Sequence, residues 1–185
     1  MQNDTNDFLL HLFPESESSN ERASENILAD DNTRALLSIH EAGHSAIAIH
    51  LNRRVIEVVV YASNSSYTQT ERIPPSFEML HNELILLLAG FEAAFKYTGD
   101  ASKASIHAGI DNVRIRDLFA DLSISEAEQE TWLEKARADC RTLVDRYWSA
   151  IEAVAAILVK NYRMNGTDVE KTVSSARVTK TNPER

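Results

Sequence analysis

Apolar and polar positions along this chain recur first with the period of a helix. Leu37, His40, Glu41, His44, Ala48 and Leu51 follow one another at three- and four-residue steps, which predicts a helix over 32–52. Asp31, Asn32 or Thr33 can cap its start, and Arg53-Arg54 suits the negative end of its dipole. The pattern then changes. VIEVVVY at 55–61 is dense in β-branched residues and predicts a strand. The turn-rich SNSS at 63–66 leads into YTQTERI at 67–73, a second strand closed by Pro74-Pro75, because proline cannot donate to a ladder. Residues 76–97 read as a strongly apolar helix with Gly99 as its stop. Asp100 or Ser102 starts another helix that runs to about Leu122. Ser125 and Glu128 have capping-box spacing, and neither Gly nor Pro follows before Asn161, so one very long helix or two joined ones are expected. Asn165-Gly166 should end that stretch, and Thr167 and Glu170 repeat the spacing for a short last helix. The expected fold class is mainly α, with one small β-hairpin after the first helix and a single domain over 32–176.

Charge changes the picture at the termini. The net charge is −9, and residues 1–34 carry eight acids against Arg22 and Arg34, so two thirds of the excess lies there. Residues 1–31 are expected to be an acidic, disordered arm, with one apolar patch, DFLLHLF at 7–13, able to dock on a partner. Residues 177–185 are expected to be a loose polar tail. The acidic balance argues against a nucleic-acid partner. The longest apolar run, LILLLAGF at 84–91, is too short for a membrane span, and no secretory signal is seen. The single cysteine, Cys140, excludes an intramolecular disulfide and a cysteine-based structural zinc site. A cytoplasmic location is the expectation that follows.

The candidate chemistry lies in HEAGH at 40–44. His40 and His44 lie one helical turn apart on one face, so both imidazoles can reach one metal ion at about 2.0–2.1 Å. Glu41 points to the side of that face. Zinc lowers the pKa of a bound water from about 15.7 to about 7, and a glutamate so placed can take the proton. The bland alternative is a chance arrangement of common helix residues. The flanks Ile39, Ala46, Ile47, Ala48 and Ile49 weigh against it, since histidines buried among them without partners would be costly. Gly43 in mid-helix, unfavourable by about 0.8–1 kcal/mol against alanine, implies the close approach of another segment.

A zinc site of this kind needs a third ligand. His50, six residues after His44, falls about 120° off the ligand face of a continuous helix and should point away. The downstream carboxylates Glu71, Glu78, Glu83, Glu92, Asp100, Asp111 and Asp117 all remain open, and periodicity does not choose among them.

A resemblance does choose. HEAGH, then a hairpin, then LLLAGFEAA at 86–94, then HAGIDNVRI at 107–115 resembles the zinc peptidase domain of the FtsH family. The long helix over ARADCRTLVDRYWSAIEAVAAILVKN and the segment NGTDVEKTV resemble that domain's closing helices. The resemblance covers about residues 33 to 176. It implies a helical zinc-peptidase domain in which His40, His44 and Asp111 hold Zn²⁺ and Glu41 is the catalytic base. Two departures stand out. Phe91-Glu92-Ala93-Ala94 replaces the family's RAAE, and no GxxxxGK[ST] phosphate loop of an ATPase module is found. His107, one turn before Asp111, could steer it by a hydrogen bond, compete as a ligand, or be a plain surface histidine.

The implied function is that of a zinc metalloendopeptidase acting on flexible or unfolded polypeptides, stand-alone and without its own ATPase. A separate ATPase or adaptor is a possible partner, docked through residues 7–13. An extended peptide substrate could add to the hairpin edge near Tyr67–Thr70. The rival is a catalytically inactive zinc-binding or regulatory protein that keeps the peptidase fold, motivated by the altered RAAE segment. The aromatic residues Phe91, Phe95, Trp132 and Trp148 read as packing, and Cys140 as an inert helix residue.

Overall fold

A computed structural model of the chain describes residues 31–178. Helix α1 spans Asp31–His50, and strands β1 (Val55–Val60) and β2 (Ser66–Thr70) follow. A single 3-10 turn, Phe77–Met79, leads into α2, Leu80–Thr98. Next come α3 (Ala101–Ser105), α4 (Gly109–Asp121), the long α5 (Glu126–Asn161), strand β3 (Arg163–Asn165) and α6 (Gly166–Val178). The fold is mainly helical with one small antiparallel sheet, as the sequence pattern implies. Among the described residues no helix is long and apolar enough to cross a membrane.

The acidic arm expected at 1–31 and its apolar patch at 7–13 lie outside the described residues, except that Asp31 already belongs to α1. Of the tail expected at 177–185, residues 177 and 178 still belong to α6, and the rest lies outside the described residues.

Helix α1 is the centre of the molecule. Every residue from Leu36 to Ala48 is buried, so this helix is enclosed all round rather than on one stripe. It packs against α2, α5 and the sheet. Leu37, Ile47, Leu80, Leu84, Leu88, Ile151 and Leu158 fill the space between these elements. Each fully buried aliphatic side chain of this size contributes about 1.5–3 kcal/mol. The crossing of α1 and α2 is tight at Gly43. A Cβ there would lie 2.6 Å from the Ala89 carbonyl oxygen and 2.7 Å from the Ala93 Cβ. This is the close approach that a mid-helix glycine implies.

Several boundaries differ from the sequence reading, each for a local reason. The sheet has three strands in the order β2-β1-β3, where a two-stranded hairpin was expected. Helix α5 stops at Asn161, not at Asn165-Gly166. Tyr162 adopts a left-handed conformation, φ 62°, and its carbonyl accepts from the Val60 amide at 2.8 Å. The next three residues pair with β1, Val58 opposite Met164, and so cover its second edge. A three-residue strand has no period to detect. The last helix is capped by Asn165, whose Oδ1 accepts from the Asp168 amide at 2.9 Å, rather than by Thr167 and Glu170. Strand β2 ends at Thr70, short of the expected Ile73. The ladder is irregular between Val55 and Glu57, and regular pairing stops before the two prolines.

The helix expected from Asp100 to Leu122 is broken in two. Asp100 caps α3 as expected, accepting from the amides of Ser102 and Lys103. The chain then turns through 106–108, with Ala104 and Ala108 buried against Leu36, Phe91 and Ala94. That turn re-aims the chain so that Asp111 sits in the first turn of α4, facing α1. Gly99 ends α2 with φ 66°, and the Ser125–Glu128 capping box starts α5, both as expected.

Replacing Gly43 by alanine should lower unfolding stability by about 1–3 kcal/mol, because the new methyl meets backbone. This holds although alanine is the better helix former. Urea unfolding measures it, and an unchanged or higher midpoint would contradict the close approach.

Candidate metal centre

The floor of a cleft of about 700 Å³ carries His40, Glu41 and His44. Strand β2 and the segment after it form one wall, and the α3–α4 turn with the start of α4 forms the other. The chain fold brings Asp111 to the histidine pair. His40 Nε2 lies 3.1 Å from His44 Nε2 and 3.2 Å from Asp111 Oδ2, and His44 Nε2 lies 3.1 Å from the same oxygen. All three residues are buried. Of the open carboxylates, only Asp111 joins the pair in a group able to hold a metal, among the described residues.

Two ring nitrogens and a carboxylate oxygen at this range can share either a proton or a metal ion. His44 Nδ1 donates to the Leu86 carbonyl at 2.8 Å, which orients the ring and turns Nε2 towards Asp111, where a bound metal would take that nitrogen's lone pair. A metal with tetrahedral bonds of about 2.0–2.1 Å separates its ligand atoms by about 3.3–3.4 Å. The observed triangle is slightly tighter than that, so these side chains fit an ion with little movement. His40 Nδ1 is buried with no hydrogen-bond partner among the described residues, so that ring is oriented by packing and by the contacts of its Nε2 with His44 and Asp111. His40, His44 and Asp111 could therefore hold a metal ion.

Gly90 completes the seat, and sequence reasoning missed its role. A Cβ at Gly90 would collide with His44 Nε2 and with Cε1 and Nε2 of His40. Only a bare backbone lets α2 pass behind the two imidazoles. The available signal was a glycine inside the apolar run at 84–91.

The electrostatics follow from burial and proximity. Burial of His44 opposes its charge. The Asp111 carboxylate, by charge and hydrogen bond, together with Glu41 and the Leu86 carbonyl, outweighs this and raises its pKa to about 9. Burial works against the Asp111 charge as well, but His44 and His40 hold its carboxyl well below the usual carboxylate range. His107 is half-buried on the cleft wall, and burial and then His40 push its pKa down to about 4. It is neutral at pH 7. Among the described residues no hydrogen bond joins His107 to Asp111, and His107 is outside the group able to hold a metal; Asp111 is held by the two histidines.

The remaining residues singled out in the sequence lie away from the centre. His50 points away from it, as expected, and pairs through Nδ1 with the buried Tyr147 hydroxyl at 2.9 Å. Arg53 is buried and forms a bidentate ion pair with Glu83, one contact being 3.0 Å, rather than serving as a solvated dipole partner. Glu92 is buried, with Nε of Arg141 at 3.0 Å and of Arg137 at 3.3 Å, so it ties α2 to α5. Cys140 is fully buried, and burial pushes its thiol up, which makes it inert.

A scan against protein-family models and a search of curated proteins each found no match to this chain.

Two outcomes are expected. Gly90→Ala should abolish metal uptake, measured by metal content after dialysis, because the methyl occupies the space of the ligand atoms; full uptake would contradict the seat. The second concerns pH. His44 has a raised pKa, so without metal its stabilising contribution is complete below pH 6.5 and is lost as pH rises towards and through about 9. Asp111 has a lowered one, so its contribution is present above about pH 3.8 and is lost as pH falls. The melting temperature of metal-free protein should fall between pH 6.5 and 9, and His44→Ala should flatten that slope. Equal slopes would contradict the pairing.

Proposed function

We propose that the protein is a zinc metallopeptidase of the FtsH-like type, acting on flexible or unfolded polypeptide. The single observation that carries this reading is the convergence of His40, His44 and Asp111 at the floor of an open cleft with Glu41 beside them. Two imidazoles and one carboxylate form a ligand set suited to zinc, and three protein ligands leave a position free, as catalytic sites do and structural sites do not. When bound, zinc would supply Lewis acidity towards a peptide carbonyl and towards a water molecule.

The chain's own residues supply the rest. Glu41 accepts the proton of the attacking water as its oxygen bonds to the peptide carbon. Glu41 then hands that proton to the amine nitrogen as the C–N bond breaks. Each carboxylate oxygen has two lone pairs, so the hydrogen bonds it already accepts leave room for this. The substrate is an extended segment, because the cleft is a trough between β2 and α4 and β2 is an outer strand of the sheet. Main-chain pairing to that edge, near Tyr67–Thr70, would hold it in register. Glu92, whose displaced position in the family pattern motivates an inactive binding protein as the rival reading, has a structural role instead, between Arg137 and Arg141.

The test compares wild type with Glu41→Gln for zinc content and peptide or casein hydrolysis. Wild type should hold about one zinc per chain. The variant should keep the zinc and lose about 10²–10⁴-fold in kcat. Zinc in both proteins with hydrolysis in neither would favour the inactive binding protein.

A further inference from the structure

Glu41 is held by more than its own helix. Ser66 Oγ donates to Glu41 Oε1 at 2.6 Å, and Thr68 Oγ1 donates to Oε2 at 2.6 Å. Thr68 Oγ1 also lies 3.1 Å from the Glu41 carbonyl oxygen. These lengths are those of charge-assisted O–H···O⁻ bonds, the stronger class. The donors come from one strand at positions i and i+2, so both hydroxyls fall on the face turned to α1. Tyr67, between them, turns the other way and donates to Glu57 at 2.7 Å.

This arrangement answers a problem inherent in the centre. Glu41 is buried in the same cleft as His40 and His44 and is next to His40 in sequence. A carboxylate on a flexible side chain is itself a good ligand for zinc. Left free, it would complete the coordination and close the site, leaving neither an open position nor a base. The hydroxyls that hold this carboxylate come from β2.

We propose that Ser66 and Thr68 are positioning residues whose paired hydroxyls hold the Glu41 carboxylate off the metal position and keep the centre open. This rests on the reading of His40, His44 and Asp111 as metal ligands with Glu41 as base. It adds that the state of the centre is set by an outer strand that belongs to the cleft wall.

The test uses the full chain loaded with cobalt(II), whose visible spectrum reports ligand exchange, and titrated with acetohydroxamic acid as a probe of the open position. Wild type should show a saturable spectral change. Ser66→Ala combined with Thr68→Val should take up as much cobalt but bind the hydroxamate more than about 10-fold more weakly. Ser66→Thr combined with Thr68→Ser keeps both hydroxyls and should restore binding. In zinc-loaded protein the Ala/Val pair should lower kcat by about 10- to 100-fold, and the Thr/Ser pair should restore it. Should that pair fail to fold, Thr68→Val alone carries the same test. Hydroxamate binding at wild-type strength in the hydroxyl-free variant would overturn the proposal while leaving the metal centre intact. A wild type that responds to hydroxamate but cleaves no peptide would overturn the peptidase reading and leave the clamp to be decided by the titration. A wild type that takes up no cobalt would overturn both.

Discussion

Burial of α1 is the constraint on which the other features depend. A helix enclosed from Leu36 to Ala48 yet carrying two imidazoles and a carboxylate must find partners for them inside the protein. Each partner comes from a different element: the Leu86 carbonyl from α2, the Asp111 carboxylate from α4, and the hydroxyls of Ser66 and Thr68 from β2. The elements around α1 are thus placed both by apolar packing and by the need to satisfy three polar side chains. The break between α3 and α4 is understandable in these terms, since it sets Asp111 at the start of a helix aimed at α1.

The same constraint explains the two glycines that line the α1–α2 contact. At Gly43 the backbone of α2 comes too close for a side chain on α1. At Gly90 the ligand atoms of α1 come too close for a side chain on α2. Together they let two helices pack at the depth where His40 and His44 can share one ion. Further from the centre, Arg53, just beyond α1, pairs with Glu83 of α2, and Glu92 of α2 pairs with Arg137 and Arg141 of α5. Breaking either would leave a buried charge without its partner, a severe loss, although the net worth of the intact pairs is small.

Much of this was legible in the sequence. Helical periodicity marked α1, apolar density marked α2, capping-box spacing followed by a stretch free of Gly and Pro marked α5, β-branched density marked β1, and HEAGH marked the histidine face together with Glu41. What periodicity did not supply was long-range. Asp111 was one of seven candidate carboxylates until a resemblance singled it out, because helical spacing says nothing of which distant carboxylate folds onto a given face. Strand β3 is three residues long and gave no pattern, and Tyr162 in a left-handed conformation is a bulky residue where a glycine signal would be sought. Ser66 and Thr68 looked like turn and strand residues; their hydroxyls matter only because β2 lies over Glu41. Arg53 looked like a helix-end cation, and only the packing of α2 shows it buried with Glu83.

The most direct measurement is a crystal structure of the zinc-loaded protein with data collected on both sides of the zinc absorption edge. A single anomalous peak within about 2.0–2.2 Å of His40 Nε2, His44 Nε2 and Asp111 Oδ2 is the expected result. Glu41 should remain on Ser66 and Thr68 and outside the coordination. Zinc found elsewhere on the molecule, or no peak at the three ligand atoms, would contradict the assignment of this cluster as the metal centre.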